Sequence, residues 1–380
     1  MTSGIRPVPD RARRGWDTGA MPVRIRPAVA SLPAYKPGRP APAGTAGPSY
    51  KLSSNENPYP PLPGVLAATE RAVAQMHRYP DLANAAVTEA LAARLGVAAD
   101  ELAFGTGSVA VLYHLLAAVC EPGDEVVHAW RSFEAYPIAV QITGATSVRV
   151  PLGTGAVHDL DALAAAITPR TRVVMLCTPN NPTGPAIGHD DLERFLAAVP
   201  AHVLVMVDEA YVEFVTDPTA VRGLELLRGR PNVVVLRTFS KAYGLAGFRV
   251  GYCVAEPALS AAVRAVSLPF GISVPAQAAV LASLEAEPAL LERVAALVGA
   301  RDRLRAGLLD LGFDVPDAQG NFVWLPAGPL TAAYGEAFRT GGVMVRPYAA
   351  GEPGDGVRVT VGEPAANDRV LEIAATLPRP

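Results

Sequence analysis

Lysine is almost absent from this chain. Only Lys36, Lys51 and Lys241 carry a side-chain amine, against 30 arginines, a bias expected where codon usage favours Arg. Cysteine is as scarce: Cys120, Cys177 and Cys253 are odd in number, widely spaced and set in apolar runs. They read as buried thiols of a cytoplasmic protein, which excludes a disulfide frame and a zinc site, and no other cluster supplies metal ligands. Net charge is nearly absent too, at -3, so non-specific nucleic-acid binding is not expected. No stretch approaches the roughly 20 apolar residues of a membrane span. The N-terminus is basic but lacks the apolar core of a secretory signal.

Half of the 380 residues are hydrophobic, enough to bury one large or two ordinary domains. Residues 1 to about 48 are rich in Pro, Gly, Ala and Arg without apolar periodicity, and residues 1–30 are expected to be a disordered arm. Met21 offers an alternative start. From about residue 60, amphipathic helices alternate with short apolar strands. A helix is expected over 84–95, with Asn84 as its cap and Gly96 as its stop. Asp124 to Ala129, Arg172 to Cys177, Val203 to Val207 and Val233 to Leu236 are short apolar runs, several of them continuous. Such runs suit strands buried on both faces of a parallel sheet, and their spacing of roughly 30 residues matches βαβ units. The chemically unusual residues follow directly after these strands, at the carboxyl edge where open α/β sheets place ligands.

Beyond Pro275 the pattern changes. Leu290, Val294, Leu297, Leu304, Leu308 and Leu311 mark one face of a long helix stopped by Gly312. Asn321 to Leu325, Val343 to Arg346 and Val357 to Val361 alternate like strands with one solvated face. The expected organisation is a large domain over 55–274 and a smaller α+β domain over 275–380, with residues 31–54 packed on the latter.

Four features stand out in order. Gly105-Thr106-Gly107-Ser108 precedes an apolar helix, and a Gly-rich turn there exposes backbone N–H groups suited to a phosphate. Asn181, held at a strand end between prolines, can donate to an anionic oxygen. Asp208 ends the run Val-Leu-Val-Met-Val, where a carboxylate needs a cation, and a protonated heterocyclic nitrogen would serve. Lys241 lies between a buried strand and a Gly-rich turn, and no lysine follows it. Only a primary amine can form a Schiff base with an aldehyde, and arginine cannot replace it.

Together these residues resemble the fold-type I pyridoxal-phosphate enzymes, over nearly the whole chain from about residue 23. Ser53-Ser54-Asn55-Glu56-Asn57-Pro58-Tyr59, Arg78-Tyr79-Pro80 and the run from Thr238 to Arg249 are similar to the histidinol-phosphate aminotransferase family. Gly107-Ser108-Val109, Arg131-Ser132-Phe133-Glu134-Ala135-Tyr136-Pro137, Pro269-Phe270 and Asn321-Phe322-Val323-Trp324-Leu325-Pro326 are similar to its actinobacterial aromatic amino acid aminotransferase branch. Many histidinol-phosphate enzymes carry acidic residues where Ser108 and Val109 stand.

The resemblance implies an α/β fold with a mostly parallel seven-stranded sheet between helices, plus the smaller domain. It implies pyridoxal 5'-phosphate as cofactor, Lys241 as its covalent anchor and proton carrier, and Asp208 as partner of the pyridinium nitrogen. Asn181 and Tyr211 would donate to the ring 3-oxygen, and Phe133 would stack on the ring. Gly107, Ser108, Val109, Thr238, Ser240 and Arg249 would hold the phosphate, with Tyr79 from the neighbouring subunit of a homodimer with shared active sites. Arg358 would bind the substrate carboxylate, with Arg346, Asn57 and Tyr59 nearby. The implied reaction is transamination between an aromatic L-amino acid and a 2-oxo acid, or alternatively of histidinol phosphate. A lyase or decarboxylase on this scaffold would share Lys241 and Asp208. A cofactor-binding regulator would need a DNA-binding domain, and the Pro-rich arm offers no helix-turn-helix.

Overall fold

A computed structural model of the chain describes residues 23–33, 35, 37–42, 47–352 and 354–379. Twelve strands occur among them: β1 (Tyr50–Lys51), β2 (Leu102–Gly105), β3 (Glu125–Trp130), β4 (Thr146–Pro151), β5 (Thr171–Cys177), β6 (Leu204–Asp208), β7 (Val233–Thr238), β8 (Gly251–Val254), β9 (Phe322–Pro326), β10 (Val343–Met344), β11 (Arg346–Tyr348) and β12 (Gly356–Thr360). Seven of them form one sheet in the order β2-β8-β7-β6-β5-β3-β4, and β8 alone runs antiparallel to its neighbours.

The continuous apolar runs do become strands covered on both faces. Every residue of β6 is buried, as are Val233 to Leu236 of β7 and Val173 to Cys177 of β5. Met175, Met206 and Val234 pack on one side with the helix Ser108–Val119, while Val174, Val205 and Val235 pack on the other with the helix His189–Ala198. Burial of this kind contributes about 25 cal/mol per Å² of apolar surface, so a polar substitution inside these runs carries a large cost.

A three-stranded antiparallel sheet, β11-β12-β9, packs against the long helix Glu287–Asp310. That helix ends as expected, with Gly312 at a φ of 83°. The apolar residues anticipated on its face, Leu290, Val294, Leu297, Leu304 and Leu308, are buried. Residues 50–51 reach across to this region, where β1 pairs with β10 and Leu52 joins the same apolar cluster.

Four local expectations need correction. Asn84 precedes the helix Ala85–Leu95 but does not cap it: its φ is 52° and its side chain turns toward the Leu82 carbonyl. Asp81 takes the cap's place, accepting from Ala85 N at 2.6 Å and Ala83 N at 3.0 Å. The strands β9 and β12 have no solvated face: every residue but Pro326 is buried, and Val323, Leu325, Val357 and Val359 share one apolar cluster with the helices Glu287–Asp310 and Pro364–Ala374. The run Val343 to Arg346 is two strands, β10 and β11, paired with different partners. Within the expected arm, Pro27–Ala30 forms a helical turn, and Ser31 Oγ beyond it accepts from Gln141 at 2.7 Å. The arm's first 22 residues, Met21 included, lie outside the described residues.

Candidate active site

The parallel strands all end at one edge, and four of them deliver a chemical group there. β5 leads to Asn181, β6 terminates in Asp208, β7 leads to Lys241, and β2 leads to the turn before Ser108. The reversed strand β8 starts at that same edge, so Arg249, two residues before it, arrives beside the others. Close approach dictates glycine at two points. A Cβ on Gly251 would sit 2.1 Å from Ser108 N, and one on Gly107, whose φ is 89°, would sit 2.4 Å from the Arg249 guanidinium. The first backbone amide of the helix Ser108–Val119 is thereby brought to Arg249, Thr238 and Ser240. Arg249 bonds Ser240 Oγ at 3.4 Å and the Ala246 carbonyl at 3.0 Å. A helix N-terminus, two hydroxyls and a guanidinium make a site for a dianion.

A cavity of about 270 Å³ extends from this cradle. Ser108, Val109, Phe133, Asn181, Asp208, Tyr211, Thr238, Ser240, Lys241, Arg249, Arg346 and Arg358 all line it, brought together from across the sequence. Gly107 adjoins it through Arg249. Three residues singled out in the sequence lie elsewhere. Asn57 donates to the Ala242 carbonyl at 3.0 Å, on the far side of the Lys241 loop. Tyr59 is 39 % exposed beneath Arg293. Tyr79 is 82 % exposed and stacks on Phe270 at 4.7 Å, away from its own chain's cavity.

Asp208 sits on the floor. Its Oδ2 accepts from the Tyr136 hydroxyl at 2.8 Å, whereas Oδ1 is buried with no partner. Burial pushes its pKa up to about 6, partly opposed by the Tyr136 hydrogen bond. Lys241 donates to the Ser54 carbonyl at 3.2 Å, and burial with the nearby Arg358 charge lowers its pKa to about 7. An amine so tuned is a nucleophile at neutral pH, unlike an exposed lysine. Tyr211 accepts from Asn55 Nδ2 at 3.0 Å, and Arg358 donates to Asn181 Oδ1 at 2.6 Å. The Arg358 Nε remains a buried donor without an acceptor.

Two site residues carried no expectation although both lie in a quoted run. Tyr136 is fully buried in the first turn of the helix Ala135–Thr143, and its ring meets Phe133, just before that helix, edge to face with centroids 5.6 Å apart. A buried tyrosine hydroxyl requires a partner, and that signal was available in the sequence. Glu134 pairs with Arg346, which no spacing rule would reveal because 212 positions separate them.

The class I and II aminotransferase family model matches residues 48–373. The chain belongs to that family. Relatives of this aminotransferase include proteins named aromatic amino acid aminotransferase from Streptomyces avermitilis, 55% identical over 92% of this chain and 96% of the relative, and from Streptomyces coelicolor, 54% identical over the same shares. Among solved structures, a histidinol-phosphate aminotransferase from Sinorhizobium meliloti in complex with pyridoxal-5'-phosphate superposes with a TM-score of 0.86 at 28% identity, covering 95% of this chain and 100% of that one. The aminotransferase cavity fits that cofactor on its own terms. The unpartnered Asp208 Oδ1 calls for a cation, the turn around Gly107 and Arg249 calls for a phosphate, and the Lys241 amine lies between them.

Proposed function

We propose that this aminotransferase moves the amino group between an aromatic L-amino acid (Phe, Tyr or Trp) and a 2-oxo acid such as 2-oxoglutarate, using pyridoxal 5'-phosphate. The carrying observation is the pair of Streptomyces relatives named for that activity, at 55% and 54% identity across more than nine-tenths of the chain. The neutral Val109 and Ser108 at the cavity wall agree with an uncharged side chain there. Histidinol phosphate is the second reading, supported by the Sinorhizobium structure at lower identity.

Bound in this cavity, pyridoxal 5'-phosphate supplies an aldehyde for amines and a protonated ring that withdraws electrons. Asp208 Oδ1 would hold the ring nitrogen's proton, and Tyr136 holds Asp208 in place to do so. Asn181 and Tyr211 would donate to the ring oxygen. Ser108, Thr238, Ser240 and Arg249 would bind the phosphate, and Phe133 would lie against the ring face. Lys241 Nζ would anchor the aldehyde, then take the amino acid's Cα proton as general base and return it as general acid. Arg358, with its unused Nε, would bind the α-carboxylate as a fork.

A homodimer belongs to this reading, with Tyr79 completing the partner's phosphate site. Met76, Tyr79, Leu82 and Leu268 are 73 %, 82 %, 59 % and 67 % exposed, an apolar surface that a second copy would cover. Residues 55–274 and 275–380 are read as the large and small domains. A cytoplasmic, biosynthetic setting fits three buried free thiols.

Purified enzyme offered 2-oxoglutarate with either phenylalanine or histidinol phosphate is expected to show the higher kcat/KM for phenylalanine. Preference for histidinol phosphate would select the second reading, and release of CO2 or ammonia would point to a lyase.

A further inference from the structure

Strands β11 and β12 set Arg346 and Arg358 directly opposite one another. Opposed side chains of an antiparallel pair share a face, with Cβ atoms about 5 Å apart, and like charges there repel. Both guanidiniums line the cavity with the Tyr348 ring between them, 5.6 Å from Arg346 and 5.9 Å from Arg358. Their partners differ in kind. Arg358 is held by neutral acceptors, the Asn181 side chain at 2.6 Å, the Ser53 carbonyl at 2.7 Å and the Tyr348 hydroxyl at 3.1 Å. Arg346 donates to the Pro37 carbonyl at 2.9 Å and to the Glu134 carboxylate.

Glu134 therefore sets the charge of this wall. With it, two arginines and one carboxylate leave a single net positive charge, matched by one α-carboxylate and a neutral side chain over Tyr348. Without it, the wall is a dication that favours a second carboxylate. Transamination asks one cavity to take both kinds of substrate in turn. Glu134 is able to yield, because its side chain is 27 % exposed and it immediately precedes the helix Ala135–Thr143, whose N-terminus favours an anion.

We propose that Glu134 is a specificity-determining residue: it neutralises Arg346 while an aromatic side chain occupies the cavity and gives way to the distal carboxylate of a dicarboxylate substrate. The inference rests on the aromatic reading above. The test measures kcat/KM for phenylalanine and for glutamate in the holoenzyme, and compares Glu134→Gln with the wild type. The glutamate-to-phenylalanine ratio should rise by about tenfold, the scale of one partly desolvated charge pair, and Glu134→Asp should restore it. Arg346→Gln should move the ratio the opposite way and guards against a Glu134 variant that folds poorly. An unchanged ratio in Glu134→Gln, or an equal loss on both substrates, would overturn the proposal. A wild-type preference for histidinol phosphate would overturn only the aromatic reading, since the same ratio is still measured in that protein.

Discussion

The edge of the seven-stranded sheet and the wall formed by the three-stranded sheet face each other across one cavity, yet they are built on opposite plans. At the large sheet's edge the functional groups are short or sit within a few residues of a buried strand. Asp208 is the last residue of β6, Asn181 follows β5 by four positions, and Lys241 follows β7 by three. Their positions are dictated by backbone ladders that cost much to distort. On the facing wall the groups are long arginines whose ends are placed by side chains, Asn181 and Glu134 from remote elements and Tyr348 from the wall itself. The first plan gives rigid placement for covalent and proton chemistry. The second gives charge that can be re-partnered, which suits a wall meeting two different substrates.

Breaking the rigid side should have the greatest effect. Lys241→Ala is expected to lower turnover by about 10⁴-fold or more, since it removes the general base, and to abolish borohydride-trappable cofactor. Retention of either would refute the assignment. In wild-type protein freed of cofactor, covalent capture should accelerate as pH rises through about 7, where burial and Arg358 have moved the amine, and not near its ordinary 10.5. Stopped-flow absorbance across pH reads this directly.

Breaking the facing wall should cost less. Arg358→Lys keeps the charge but loses the fork, so kcat/KM for phenylalanine should fall by about 100-fold, mostly through KM. Cofactor affinity, measured by dialysis equilibrium, should stay near wild type, because Arg358 is not in the phosphate cradle. A matching loss of cofactor would show that the two sides are not separable.

The smallest effect sharpens the comparison from below the cavity. Tyr136→Phe removes one donor from a buried carboxylate, worth about 1–3 kcal/mol, and should weaken cofactor binding by roughly tenfold to a hundredfold. The sign in pH follows from the carboxyl. Protonated Asp208 cannot pair with a cation, so binding is lost as pH falls through its pKa. Loss of the Tyr136 hydrogen bond, which lowers that pKa, moves the midpoint upward. A purely structural Tyr136 would lower Tm and leave the midpoint where it was.

Much of the large sheet was legible because a strand buried on both faces must be apolar throughout, and an exception at its end is conspicuous. The same logic exposed Asp208 and Lys241. It failed for β9 and β12, where helices cover a face that a small sheet more often leaves to water. It failed at Asn84, where a left-handed backbone hands the cap to Asp81. Asn55 sat in a quoted motif, but its role in joining Tyr211 to Thr360 depends on a contact spanning 305 positions.

By itself the sequence determined the apolar strands, the order of groups along the carboxyl edge, and the one lysine able to serve at it, because those follow from local periodicity and the chemistry of single side chains. Tertiary structure alone decided that β8 runs backward and so brings Arg249 to that edge, that Tyr136 leaves one Asp208 oxygen unpartnered, and that Glu134 pairs with one of two opposed arginines. Each depends on where distant segments pack, and charge balance inside a cavity is a property of the assembled wall, with no counterpart in residue spacing.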